Sequence, residues 1–281
     1  MAAWGLWGAV IDTVARAGFP ESLGYVVWAF TMIPPCLVAL ARTGWKLETD
    51  PRSILLGGSA GLLGAGGQLV LFKVLRLAPA HLVFPFLALS PLVTILLAML
   101  VGGERATRRG WAGIVLALVA AVLLACSPPQ AEGGGGVLWV ALALVVFLAW
   151  GLQGFVLSHG NRSMRAESLF FYMTVAGLLL VPVAWSMTDF QRPIHWGFRG
   201  PWLAAMIHSL NAVGALLLVY AFRHGKAMLV SPLVNAGAPV ITILISLVLC
   251  RTIPGAIQSV GMVLAILATV QLATDGGTEV R

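Results

Sequence analysis

Side chains able to do chemistry are sparse in this sequence, and most of them lie inside long apolar runs. They are Gln68, Gln153, His208, Asn211 and Asn235, together with Thr94, Thr242 and the indoles of Trp4, Trp7 and Trp150. His208 and Asn211 are three residues apart and share one face of a helix. An imidazole titrates near neutral pH and suits proton transfer; the same pair equally suits a hydrogen bond between helices. Gln153 stands where an earlier Trp-Gly element carries Trp7, which would set an amide opposite an indole across a cavity. It would serve equally as a bond to a neighbouring helix. Asp12 is the acid set within an apolar run, the usual position of a functional charge, but Arg16 one turn on offers it an i,i+4 partner. Unpaired polar groups facing lipid cost several kcal/mol. Substrate contacts are therefore expected at Trp7, Gln68, Trp150, Gln153, His208, Asn211 and Asn235, and ion coupling at Asp12 or His208.

Other chemistries find no support. Gly133–Gly136 is not followed by Gly-Lys-Ser or Gly-Lys-Thr, so it is no phosphate cradle, and there is no His-Glu-x-x-His. Cys36, Cys126 and Cys250 match neither a metal site nor a disulfide framework. No catalytic residue, metal or cofactor is expected. The formal charge of +7 is carried by residues between apolar runs, where it orients a chain in a membrane rather than binding nucleic acid.

The elements that must hold these residues follow from composition. Of 281 residues, 59% are hydrophobic and 10% charged, against about 25% charged in a soluble domain. An all-α integral membrane protein follows, with no room for a soluble domain. Apolar runs delimited by charges, glycines and prolines fall at 2–16, 21–41, 53–75, 79–101, 110–127, 137–158, 168–188, 201–222, 227–250 and 256–273. Lys and Arg number eleven in the loops after even-numbered runs and the tail, and six on the other side, which predicts cytoplasmic termini. Lys73 and Arg76, near a boundary, are placed to snorkel to water.

A duplication organises the ten runs. Ala3-Trp4-Gly5-Leu6 recurs 146 positions later as Ala149-Trp150-Gly151-Leu152, and Glu21-Ser22-Leu23 as Glu167-Ser168-Leu169. Ser90-Pro91-Leu92-Val93-Thr94 matches Ala238-Pro239-Val240-Ile241-Thr242, and Pro85 and Gly113 match Pro232 and Gly261. Glu21 and Glu167 suit helix starts. Pro85, Pro91, Pro232 and Pro239 predict kinks in the fourth and ninth runs, candidate hinges for gating. Five runs per copy is odd, so the copies enter the membrane from opposite sides, as in secondary transporters with a site between the halves. The halves are expected at 1–127 and 137–273, with 274–281 a polar tail. By the same register the first helix looks truncated at its start.

The stretch Gly61–Ala125 carries Leu71-Phe72-Lys73-Val74-Leu75, Ala80, Pro91-Leu92, Gly102-Gly103-Glu104 and Gly113, and His208–Ala273 looks like its second copy. With the opening Trp4-Gly5-Leu6-Trp7-Gly8, this resembles EamA-type transporters of the drug/metabolite transporter superfamily. The resemblance implies ten helices in two inverted five-helix halves, working as an exporter or exchanger in a prokaryotic plasma (inner) membrane. Glu104 is matched by Thr252 in the second half, and Asp12 stands where some relatives carry lysine. The expected partners are a small organic solute and the bilayer, with the protein a monomer or homodimer. An integral membrane enzyme using His208 and Asp12, or a structural membrane subunit, are the alternatives.

Overall fold

The computed structural model describes residues 1–11, 13–14, 17–77, 83, 87, 89–125, 138–250 and 255–276, with no strand among them. Asp12, Arg16, Pro85, Cys126, Gly133–Gly136 and Thr252 lie outside the described residues. The helices are α1 (Ala2–Val10), α2 (Glu21–Thr31), α3 (Ile33–Arg42), α4 (Pro51–Leu77), α5 (Pro91–Leu100), α6 (Arg108–Ala125), α7 (Leu138–Asn161), α8 (Ala166–Leu179) and α9 (Val181–Ser186). After a π-helical turn (Phe198–Trp202) come α10 (Leu203–His224), α11 (Ala227–Cys250) and α12 (Ala256–Gly276).

Among the described residues, five helical stretches are long and apolar enough to cross a bilayer: Glu21–Arg42, Pro51–Val74, Leu138–Asn161, Ala166–Ser186 and Phe198–His224. Shorter apolar helices at Pro91–Leu100, Ala227–Thr242 and Ser259–Leu272 stand beside them. Large apolar side chains face outward, with Leu55 70% and Leu100 80% exposed. Acyl chains cover such a surface at no cost.

In the fourth run, helical residues Val83 and Leu87 give way to a turn at Leu89–Ser90 before α5 begins at Pro91, so that run is interrupted at a proline. Pro91 is the first residue of α5, where the missing N–H would have had no helical partner anyway. Pro232 and Pro239 lie within α11, which is one helix through both. Breaks also fall in the second and seventh runs. Met32 and Leu180 separate α2 from α3 and α8 from α9, just ahead of Pro34-Pro35 and Pro182. A proline early in a new helix removes the N–H that would have continued the preceding one.

Duplicated residues make duplicated contacts. A Cβ on Gly5 would collide with Ile241 and stand 3.0 Å from the Ala238 carbonyl oxygen; a Cβ on Gly151 would collide with Val93 and stand 2.6 Å from the Ser90 oxygen. Only glycine lets these backbones approach so closely. Beside each glycine, a threonine of the facing helix donates to its carbonyl: Thr242 Oγ1 to Gly5 at 2.9 Å, Thr94 Oγ1 to Gly151 at 2.7 Å. So α1 lies against α10 and α11, while α7 lies against α4 and α5; α6 and α12 pack side by side.

One end of the bundle is strongly basic and is tied by charge. Glu104 pairs with Arg162 at 2.9 Å, and Glu48 with Arg165 at 2.6 Å. Partial burial pushes the Glu48 carboxyl up, but hydrogen bonds from Ser168 and Arg165 and the Arg165 charge outweigh it and hold the group below its ordinary value. Asp50 accepts from the Ser53 amide at 3.0 Å and caps α4. Glu21 and Glu167 occupy the first turns of α2 and α8, and Glu167 accepts from the Tyr220 hydroxyl at 2.6 Å. At the opposite end the His195 amide donates to Gly18 at 3.2 Å, and the Ser22 and Thr188 hydroxyls meet at 2.8 Å.

Candidate functional site

The expected site residues fall into two clusters. In the first, α10 presents His208 and Asn211 on one face, and α1 lays its indoles across them. Trp7 Nε1 donates to His208 Nδ1 at 3.4 Å, the rings tilted by 44° with centroids 6.3 Å apart. Trp4 Nε1 donates to the Asn211 main-chain oxygen at 3.2 Å. The Asn211 side-chain oxygen accepts from Trp28 Nε1 of α2 at 2.9 Å, and Tyr25 sits beside Trp28 with ring centroids 5.1 Å apart. The Tyr25 hydroxyl donates to the Gly177 carbonyl of α8 at 3.1 Å.

The Trp7 bond matches one tautomer of His208. His208 is 8% exposed, and acceptance at Nδ1 assigns the proton of the neutral imidazole to Nε2. Nε2 faces α2 at Gly24, where a Cβ would stand 3.4 Å from it. Among the described residues touching this ring, Trp7 of α1 and Gly24 of α2 carry no charge.

The second cluster is built on small residues of α4. Trp150 Nε1 donates to the Gly64 carbonyl at 3.3 Å and lies over Gly67, where a Cβ would be 2.6 Å away. The Gln153 amide packs on Gly64 itself. Gln68 follows on the same helix, half-buried. Gln153 therefore faces α4 and makes no hydrogen bond to Trp7, because α1 and α7 cross to different partners. Ala65 and Leu69 of α4 pack with Tyr25 and Ala29, which joins the two clusters through α2.

Asn235 stays apart: it is exposed and donates to the Ser231 carbonyl of its own helix at 3.0 Å. Asp12 lies outside the described residues, as does Pro85. Tyr25 and Trp28 were missed by sequence reasoning. Their signal was the three-residue spacing of two amphipathic aromatics within one run, the same criterion that selected His208 and Asn211.

An all-helical bundle with bilayer-length apolar spans and buried polar-aromatic contacts between them defines a multi-pass helical membrane protein. The model of the EamA-like transporter family matches residues 1–126 and 137–274, and the chain belongs to that family. It is similar to the protein RarD of Streptomyces exfoliatus, 28% identical over 246 residues that cover 84% of this chain and 72% of that protein. A solved crystal structure shares the fold with a TM-score of 0.78 at 20% identity, covering 98% of this chain and 95% of the solved one.

Proposed function

We propose that the protein is a secondary transporter, an exporter or exchanger, that moves a small organic solute by alternating access. Its halves, 1–127 and 137–273, form two five-helix units of opposite orientation, with both termini in the cytoplasm of a prokaryote and the bundle in its plasma (inner) membrane. The observation that carries the reading is a contrast between repeated and diverged contacts. Trp4 and Trp150 each bond a main-chain carbonyl on the facing helix, Asn211 and Gly64, residues that stand 147 positions apart in the sequence. The framework contact is repeated while the side chains around it have diverged. In one copy they are Trp7, His208, Asn211 and Trp28; in the other, Gln153 against bare glycine. Side chains that the repeated framework does not need are the ones free to select a solute.

The solute this suits is an amphipathic organic molecule, stacked on indoles and hydrogen-bonded by an amide and an imidazole, with Gln68 and Asn235 as further contacts along its route. His208 is the proposed proton-coupling group, with Asp12 as a second. Protonating Nδ1 would set two donors against each other and part Trp7 from α10. Pro85, Pro91, Pro232 and Pro239 are proposed to let the fourth and ninth runs bend during the exchange.

The experiment is comparative export. Cells expressing the chain, and cells expressing a Trp28→Phe/His208→Ala/Asn211→Ala variant at equal membrane level, are compared for solutes in the medium by mass spectrometry. Enrichment by the wild type alone supports transport through this cluster. Equal enrichment by both removes the cluster from the path, and product formation in detergent solution would replace transport with enzymology.

A further inference from the structure

We propose that the cavity at the basic end is a binding site for an anion of the carboxylate or phosphate class. The cavity measures about 570 Å³ and is walled by the 102–105 connection, the end of α7 and the end of α10 with its following turn. That size falls in the usual range for small-molecule sites, roughly 300–1,000 Å³. Its walls therefore come from both halves of the chain, where a solute crossing between them would pass.

The chemistry of the walls is unbalanced. Arg105, Arg162, Arg223 and Lys226 are cations, and Glu104 is the one acid among the lining residues. Glu104 is already used on both oxygens. Oε1 takes Arg162 at 2.9 Å, and Oε2 accepts the Met228 amide at the start of α11 at 3.1 Å, with the side chain 7% exposed. Arg223 is held by the neutral carbonyls of Asn161 and Met164 at 3.2 and 2.9 Å, so its charge is positioned without being neutralised. The Arg105 side chain is exposed and makes no hydrogen bond among the described residues. Lys226 Nζ donates to the Arg105 carbonyl at 3.3 Å and so stands beside it.

A membrane-orienting bias alone would scatter cations over this end of the bundle; it would not converge four of them on one cavity. The lining also holds a polar side chain that is not fully satisfied. Asn161, 7% exposed, spends its Nδ2 on the Leu157 and Val219 carbonyls, and its Oδ1 has no partner. Arg16 and Arg76 occupy the places in the first copy that match Arg162 and Arg223, 146 and 147 positions earlier.

The site's place in a transport path rests on the function proposed above; the binding itself does not, and the test measures binding at equilibrium. The purified full chain is placed in nanodiscs of pure phosphatidylcholine. Its thermal midpoint is followed against sodium pyrophosphate, with sodium chloride of equal ionic strength as reference. A parallel sample without pyrophosphate uses discs containing phosphatidylglycerol. The expected result is a saturable rise in midpoint with pyrophosphate, its half-saturation weakened about tenfold or more in an Arg105→Gln/Lys226→Gln variant that melts normally without ligand. If only the phosphatidylglycerol discs raise the midpoint, and the variant loses that rise, the site stands and its anion is a lipid headgroup. No rise with either probe, or an equal rise in the variant, overturns the proposal. Because nothing moves across a membrane here, failure of the transport reading would appear only in the export experiment.

Discussion

Gly154 and Thr94 provide a direct test of how closely the repeated framework is packed. A Cβ on Gly154 would stand 2.6 Å from Thr94 Oγ1 and 3.1 Å from its Cγ2, well inside contact distance. Thr94 is fully buried and its hydroxyl is bound to the Gly151 carbonyl at 2.7 Å. Gly154→Ala must therefore part α7 from α5 or turn the threonine off its carbonyl. Overpacking costs about 1–3 kcal/mol and the lost hydrogen bond about 0.5–1.5 kcal/mol, while alanine's helix propensity returns about 1 kcal/mol. The net loss is about 0.5–3.5 kcal/mol. Thr94→Ala alone also destabilises, by the hydrogen bond and the space it leaves. In Gly154→Ala/Thr94→Ala the new methyl occupies that space, so the double variant should be more stable than the sum of the singles by about 1–2 kcal/mol. The assay is unfolding in mild detergent for the four members of the cycle. Additive losses would show that the two residues do not touch and would refute the reasoning. The matching cycle, Gly8→Ala with Thr242→Ala, should couple with the same sign, since a Cβ on Gly8 would stand 2.7 Å from Thr242 Oγ1. Its size should be smaller, because Thr242 is only half-buried.

Asn211→Leu removes the acceptor of the 2.9 Å bond from Trp28 and should lower stability by about 1–3 kcal/mol while abolishing export; a variant exporting at the wild-type rate would sink the cluster's role. Glu48 is held below its ordinary value near 4.5. Its contribution is therefore fully present above that pH and is lost as pH falls through the folded-state value. Glu48→Gln should flatten the acid side of a midpoint-against-pH curve, and an unchanged curve would count against the Arg165 pairing. Glu104→Gln should cost about 1 kcal/mol or less through its ion pair, because Arg162 is 51% exposed. A drop of several kcal/mol on thermal melting would show that this end is held far more rigidly than its geometry implies.

Much of the framework was readable in the sequence because it depends on residue types that repeat. Gly5 with Gly151 and Thr94 with Thr242 stood out as duplicated small and hydroxyl residues, and each pair makes the same contact. Periodicity also put His208 and Asn211 on one face. It did not say which helix that face meets, so Gln153 was expected opposite Trp7, whereas α7 turns it onto Gly64. Proline was readable only in part, for a related reason. Its effect depends on where it falls in the helix: Pro91, Pro34-Pro35 and Pro182 each start a helix after a break, while Pro232 and Pro239 lie inside α11. Long-range partners such as Glu104 and the Met228 amide, 124 residues apart, have no local pattern by which to be found.

The relation between the two copies also constrains how such a protein can change shape. Contacts through backbone carbonyls and glycines, such as Trp4 on Asn211 and Trp150 on Gly64, tolerate substitution of nearby side chains because the bond needs only the main chain. Evolution could therefore replace residues around one indole without loosening the other. The charged contacts behave differently. Glu104–Arg162 and Glu48–Arg165 both join the first copy to the second, and both lie at the basic end, whereas the bond from His195 to Gly18 and the Ser22–Thr188 pair at the other end are uncharged. If the halves exchange conformations as proposed, opening the basic end must separate ion pairs, while the contacts named at the other end, among the described residues, are neutral. Salt weakens the first and leaves the second nearly untouched. Raising ionic strength should therefore increase the reactivity of a cysteine placed at Ser158, in the basic cavity, without increasing that of one placed at Ser22. Equal responses at both ends would mean that the charges do not hold the basic end closed.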